Sequence, residues 1–453
     1  MKNTNVSRRQ FLGTTAVAAG ATIAGKSLLA EEIVPRKAVR PSPNDPAPVR
    51  FGIVGNGMQG TALLRTAIKL PGVSCVAAAD VYDGRHLHAR EITNNPSLRT
   101  TRRYQDLLGD KSIDAIVAAV PDHWHKQIVV DTVAAGKDIY IEKPMSHSPA
   151  EGVEMIDAVR KSGRILQVGS QGVSSPVYAK AKEMIASGML GDLMIVEGSL
   201  GRNDPCGAWV YPPPPGLSPA NLDWEAWIGP APKHAFDPNL YARWRQWKEY
   251  GTGAAGDLLV HLVTGLMYMM GWNEPPGYVA AVGGIRHFKD GRNMPDIIAT
   301  SFYWHDTPLY MRLNLANEDD GGYRFAGSTG TLEVHGDTVT FTPQVGFDTY
   351  PCYYTDSYDR AMKQAYDEQW HKENDARVAA AATQNVIRYR APDHDGTYLH
   401  LQNFFDAVRT RKPVVEDVVF GHNAALACHM ANESYFRRTS VNWDDATKTI
   451  RST

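Results

Sequence analysis

The segment Gly55-Asn56-Gly57-Met58-Gln59-Gly60 has the spacing G-x-G-x-x-G, directly after a short apolar run at 50–54 and before a helical stretch at 61–69. In that strand-turn-helix setting the glycines permit a tight turn. They also let backbone N–H groups at the helix N-terminus approach a pyrophosphate, which a side chain would block. A second apolar run, 73–79, ends at Asp80, twenty residues after Gly60. A carboxylate there accepts from both ribose hydroxyls of a dinucleotide and repels a 2′-phosphate, which favours NAD over NADP. Arg85 is close enough in sequence to keep NADP open.

Oxidation of a secondary alcohol against a nicotinamide needs a base for the hydroxyl proton and a cation for the developing alkoxide. Lys143, His261 and Asp257 have the side chains for this. An unperturbed imidazole, with a pKa of about 6.5, suits a general base near neutrality. Asp257 stands four residues before His261, on the same face of a helix, where it can orient the ring or contact substrate. Each residue also has a plainer reading. Asp257 follows the glycine-rich stretch 251–256 and could cap a helix, His261 sits among Leu258, Leu259, Leu262 and Val263 as a core histidine would, and Lys143 could be a charge at a strand end.

These residues must be positioned by alternating strands and helices. After the first two strands come a strand at 115–120, a helix at 127–135, a strand at 138–141, a helix at 149–162 and a strand at 165–168. That alternation predicts a parallel, doubly wound α/β sheet over 50–172. After Asp192 the pattern changes to strand-like runs at 193–200, 278–285, 297–305, 309–315, 323–326, 331–335 and 339–342. A second, α+β domain over 173–453 with a large, mostly antiparallel open sheet is expected, closed by helices at 398–411 and 418–436. Between its first two strands lies an insertion, 201–277, holding six of the ten tryptophans. A connection that long usually serves a site, and aromatic faces stack on sugar C–H faces; packing or a subunit interface is the alternative.

Composition sets the class. The 453 residues are 43% hydrophobic and 21% charged with a net charge of −2, which excludes disordered, collagen-like and coiled-coil chains and gives no sign of a nucleic-acid partner. Four scattered cysteines form no CxxC pair, so neither a disulfide framework nor a thiolate zinc site is indicated. His123/His125, Asp393-His394-Asp395 and His422/His429 lack the further ligands a metal needs, and no metal is expected. Residues 1–30 contain Ser7-Arg8-Arg9-Gln10-Phe11-Leu12 and then thirteen small or apolar residues, too few for the roughly 20 that span a bilayer. They read as a twin-arginine export signal cleaved after Ala30, followed by a proline-rich linker at 31–49.

Pro121-Asp122-His123-Trp124-His125, Glu142-Lys143-Pro144, the segment at 167–171 ending in Gln171, and Asp257 with His261, together with the glycine fingerprint, resemble the Gfo/Idh/MocA oxidoreductases. Arg411-Lys412-Pro413 and Gly421-His422 resemble that family's C-terminal part, so the likeness runs from about residue 50 to the end. The resemblance implies an active site on the open sheet facing the dinucleotide domain, with Lys143 between nicotinamide ribose and substrate hydroxyl. It places Asp122 and His123 near that ribose and Pro121, His125, Glu142 and Gln171 around the cofactor. Arg243-Trp244-Arg245 resembles a segment that reaches the substrate region. Thr264, also expected on the substrate side, stands where inositol dehydrogenases carry a second acid, so cyclitol specificity is not expected.

Export points to a cofactor loaded before transport and retained, because no NAD pool regenerates it outside the cytoplasm. The expected activity is therefore oxidation of a carbohydrate or glycoside hydroxyl with tightly bound NAD. The alternative is a glycoside hydrolase or lyase working through transient 3-keto oxidation. A non-catalytic ligand sensor is the reading from another class, and Lys143, Asp257 and His261 weigh against it. A homo-oligomer through the open sheet is expected.

Overall fold

The computed structural model describes residues 48–344, 350–381 and 385–453. The expected leader and all but the end of the linker lie outside the described residues. Among those described, no helix is long and apolar enough to cross a membrane.

Six parallel strands form the first sheet: β1 (Val49–Val54), β2 (Val73–Ala79), β3 (Arg99–Thr101), β4 (Ala115–Ala118), β5 (Asp138–Glu142) and β6 (Leu166–Gly169), in the order β3-β2-β1-β4-β5-β6. β4, β5 and β6 are buried along their whole length, as strands with helices on both faces must be. Their apolar runs are what the sequence pattern reads. The helix Pro149–Ser162 starts where the Ser148 hydroxyl accepts from the Glu151 N–H and ends at Gly163 in the left-handed region, φ 64°. β3 and the helix Asp83–Ile92 escape that reading because β3 has three polar residues and the helix buries only Ala89.

The second sheet has ten strands. β7 (Leu193–Gly201), β8 (Tyr278–Gly284), β9 (Ile297–Trp304), β10 (Thr307–Asn314), β11 (Gly322–Gly327), β12 (Gly330–His335), β13 (Thr338–Pro343), β14 (Ile387–Arg390), β15 (Val441–Asp444) and β16 (Thr449–Ser452) run in the order β14-β13-β12-β11-β7-β10-β9-β8-β15-β16. All neighbours are antiparallel except β7 and β10. Along β9 and β10 alternate residues are buried, so one face packs on helices and the other faces outward.

The last two helices do more than close the second domain. In Gly396–Thr410, Leu401, Phe404 and Phe405 join the first domain's core, with Phe405 5.5 Å from Phe51 and Phe404 5.8 Å from Tyr140 between ring centroids. In Val418–Arg437, Val418 and Ala425 pack with Val168 and Met155, while Ala424, Leu426 and Met430 lie in the core under the large sheet. One helix thus shares both cores, which fixes the β1–β6 sheet against the second domain.

Candidate active site

The glycine turn leaves β1 at Val54 beside the switch point between β1 and β4, where α/β sheets bind ligands. Its three glycines do different things. A Cβ on Gly55, at φ 83°, would lie 2.3 Å from the Ala119 carbonyl oxygen, and one on Gly60 would lie 1.9 Å from that of Gly55. A Cβ on Gly57 would meet nothing within 4 Å. Gly55 and Gly60 therefore close the turn, and Gly57 borders open space. The Asn56 amide beside it is buried with both polar atoms unpartnered. These features fit a dinucleotide pyrophosphate, with Asp80 placed for the ribose. Asp80 Oδ2 accepts from the Asn56 N–H at 2.7 Å and Oδ1 from the Tyr82 N–H at 2.9 Å. Burial raises its pKa, but each oxygen retains a lone pair for a ribose hydroxyl.

Across the turn, Gln59 donates to Glu142 Oε1 at 2.8 Å, and Gln171 donates to the same oxygen at 2.8 Å and to the Tyr140 hydroxyl at 2.8 Å. Glu142 is buried, and burial raises its pKa. This knot ties the glycine turn to the end of β5, directly before Lys143. The Lys143–Pro144 peptide is cis.

Lys143 Nζ donates to Asp257 Oδ1 at 2.8 Å and to the Asp257 carbonyl oxygen at 2.7 Å. Asp257 lies in a π-helical turn, Ala255–Leu259, that leads into the helix Val260–Met270. Such a turn widens the backbone spiral, and here the carbonyl and carboxylate of one residue reach the same ammonium. Arg245 Nε donates to Asp257 Oδ1 at 3.0 Å and Trp209 Nε1 to Oδ2 at 3.1 Å. The side chains of Lys143, Asp257 and Arg245 are 11%, 10% and 19% exposed. Burial works against the Asp257 charge, yet Lys143 and Arg245 hold its carboxyl far below the usual range. Among the described residues the His261 ring has no hydrogen-bond partner. Burial, Lys143 and Arg202 together push its pKa down to about 3, against a smaller opposing pull from Asp257.

The 201–277 insertion crosses the carboxyl ends of β2 and β4. Leu222 pairs with Tyr82, the Asp83 N–H donates to the Asn221 carbonyl at 3.0 Å, and the Asp223 N–H to that of Val81 at 3.0 Å. At the end of β4, Trp124 Nε1 donates to the Trp227 carbonyl at 2.9 Å, and Asp122 Oδ2 accepts from the Thr252 N–H at 2.9 Å and its hydroxyl at 2.7 Å. Leu222, Trp224, Trp227, Ile228, Leu240 and Tyr250 form a core of their own under this strap.

The family model described as "Oxidoreductase family, NAD-binding Rossmann fold" matches residues 49–170. Two models described as "Oxidoreductase family, C-terminal alpha/beta domain" match 175–288 and 232–442. The chain belongs to the Gfo/Idh/MocA oxidoreductase family. It is 32% identical over 152 residues to inositol 2-dehydrogenase 1 of Saccharopolyspora erythraea, a match covering 33% of this chain and 44% of that one. Over 237 residues it is 27% identical to levoglucosan dehydrogenase of Pseudarthrobacter phenanthrenivorans, covering 49% and 51%. The chain thus spans about half the length, or less, of these curated relatives. A solved levoglucosan dehydrogenase in complex with NADH and levoglucosan superposes with a TM-score of 0.64 at 17% identity, over 87% of this chain and 99% of that one, which establishes the shared fold.

In this Gfo/Idh/MocA protein Lys143, Asp257, His261 and Arg245 come together, but several expected contacts do not form. Thr264 is buried and its hydroxyl donates to the His261 carbonyl at 3.2 Å, so it braces the helix and does not face substrate. His125 is fully buried with its ring nitrogens 2.8 Å from the Pro144 carbonyl and 3.0 Å from that of Val120, a structural position without cofactor access. The His123 ring lies between the carbonyls of Tyr250 and Trp227, at 3.2 and 3.1 Å, and holds the strap; burial lowers its pKa to about 4. Pro121 opens that same turn. Arg243 donates to the Tyr211 carbonyl at 3.0 Å, and the Trp244 ring lies 4.2 Å from the Arg245 guanidinium; both side chains are partly exposed. Met58 is half exposed at the start of the turn's helix.

His261 also departs from the expected base near neutrality, because burial and two cations remove that basicity. Two tryptophans of the insertion, Trp224 and Trp227, stack on each other at 4.8 Å and 8° inside the strap's core, so these two serve packing. Sequence reasoning missed Trp209, Arg202 and Thr252, which carry no local signature and reach the site only through the fold. Among the described residues no group of three or more His, Cys, Asp or Glu is placed to hold a metal.

Proposed function

We propose that the protein is an NAD-dependent oxidoreductase that acts on a secondary hydroxyl of a carbohydrate or glycoside and keeps its cofactor bound. The observation that carries this reading is the buried Lys143 ammonium, anchored on Asp257 beside a neutral His261 and tied to the glycine turn through Glu142 and Gln59. Bound NAD supplies the hydride acceptor. Lys143 donates to the substrate oxygen and stabilises negative charge on it as the proton leaves, and the neutral His261 imidazole accepts that proton. With its pKa near 3, His261 is a weak base, so the pull on the proton comes mainly from the Lys143 charge acting on the oxygen. Asp257 and Arg245 orient the ammonium. Asp80, with both carboxylate oxygens turned to backbone donors at the end of β2, favours NAD over NADP.

Retention is supported by the strap, whose contacts of 221–227 with 81–83 and Trp124 cross the ends of β2 and β4, where they would hinder the escape of a dinucleotide. That same observation favours a second reading, cleavage of a glycoside through transient oxidation, which needs no external cofactor turnover. Both readings go with an exported protein, as the twin-arginine leader suggests. The outward face of the large sheet exposes Tyr278, Val282, Tyr303 and Tyr310, a surface suited to a second copy of the chain.

The deciding measurement is absorbance from 300 to 400 nm of purified protein, before and after glucosides, levoglucosan and myo-inositol, with products analysed in parallel. Substoichiometric reduction of a co-purified nicotinamide, with sugar turned over far beyond it, is expected. NADH accumulating in step with keto-sugar, only when NAD is supplied, would refute retention; no reaction with any sugar would refute the oxidoreductase reading.

A further inference from the structure

Trp209 is an unusual residue to find in this position. It is 1% exposed and adopts φ 61°, the left-handed region that bulky side chains avoid. A strained conformation persists where its surroundings over-determine it, and here they do. The Trp209 N–H donates to the Cys206 carbonyl at 3.0 Å and the Val210 N–H to that of Pro205 at 2.8 Å. Gln246 Nε2 donates to the Trp209 carbonyl at 3.2 Å and to Asp290 Oδ2 at 3.0 Å. Arg292, paired with Asp290 at 2.7 Å, donates to the Ala208 carbonyl at 2.9 Å. A buried Gln246–Asp290–Arg292 clamp therefore holds both carbonyls that set this backbone. The product of the strain is one contact, the indole N–H on Asp257 Oδ2 at 3.1 Å.

An indole N–H only donates and carries no charge, so it can neither move a proton nor bind a cofactor phosphate as a cation would. What it can do is fix the plane of the carboxylate. Lys143 and Arg245 both reach Oδ1, and with Oδ2 unheld the carboxylate would be free to turn and share its charge between the two cations in several ways. We propose that Trp209 is a positioning residue, held by the Gln246–Asp290–Arg292 clamp, that locks Asp257 so that Lys143 is presented to the substrate in one geometry. This rests on the reading of Lys143 and Asp257 as the working pair in the proposed oxidation.

The test combines W209F, D257N and the double variant. On whichever sugar of the panel the parent oxidises, W209F lowers kcat about ten- to a hundredfold, the range for losing a hydrogen bond to a charged group, with KM close to the parent value. In the D257N background W209F lowers kcat no further. Equal losses in both backgrounds, or a loss confined to KM, would overturn the proposal. A second readout needs no substrate. In protein labelled with 15N at its ten tryptophan indoles, D257N moves one indole N–H resonance, the one absent from W209F. If no indole resonance moves in D257N, Trp209 does not act through Asp257. Should W209F fail to fold, W209Y makes the same assignment, and a parent that oxidises no sugar would sink the activity while leaving this result in force.

Discussion

Asp257 is one carboxylate shared by two buried cations, and that imbalance makes an asymmetric prediction. In D257N the side chain keeps its shape, but Lys143 and Arg245, 11% and 19% exposed, lose the counter-charge they share. Removing one partner of a buried ionic cluster costs about 3–5 kcal/mol, because the remaining charges stay buried without compensation. In K143M, by contrast, Asp257 keeps Arg245 at 3.0 Å and Trp209 at 3.1 Å, so charge stays balanced and the cost is about 1 kcal/mol, that of one hydrogen bond. Differential scanning fluorimetry at pH 8 should show Tm falling by roughly 4–6 °C in D257N and about 1 °C in K143M, for one cooperative unit of about 400 residues. The Asp257 carboxyl is depressed in the folded state, so its stabilisation is complete above the ordinary carboxyl pKa of about 3.9 and is lost only as pH falls below it. That contribution in the parent is therefore the same at pH 6 and pH 8. A K143M variant as unstable as D257N would refute the shared-carboxylate reasoning.

Acid should destabilise the whole protein. Burial lowers the pKa values of His123, His400 and His422 to about 4 and of His429 to about 3, so these rings stay neutral when folded and take up protons only on unfolding. Stability is then flat above pH 7 and falls below about 6.5, by about 2 kcal/mol per ring at pH 5; a Tm profile level from pH 8 to 5 would contradict the burial. Gly57→Ala should fold with an unchanged Tm and bind NAD at least tenfold more weakly by calorimetry, since its Cβ enters the open space, whereas Gly60→Ala, blocked 1.9 Å from a carbonyl oxygen, should lose stability first. Trp227→Ala, which empties the strap's core, should release cofactor on dialysis that the parent retains, measured by absorbance after gel filtration.

The parts of this protein that are local in sequence could be read from it. The glycine turn, Asp80 and the apolar runs of β1, β2, β4, β5 and β6 each signal themselves within a few residues, because a buried parallel strand must be apolar throughout and a tight turn needs glycine at fixed places. Lys143, Asp257 and His261 were legible as candidates through their motifs. Polar elements such as β3 and the helix Asp83–Ile92 were not, since they bury too little to leave a periodic trace.

Sequence by itself determined the doubly wound sheet, the family and the identity of the chemical groups. Tertiary structure alone decided what those groups are. It made His261 a weak base, because basicity depends on burial and on Lys143 and Arg202 nearby. It turned His123, His125 and Thr264 from ligand contacts into braces, because a side chain's partner is set by what the fold packs against it. It brought Trp209 onto Asp257 from 48 positions away. Contacts of that kind depend on distances in space that no spacing along the chain encodes.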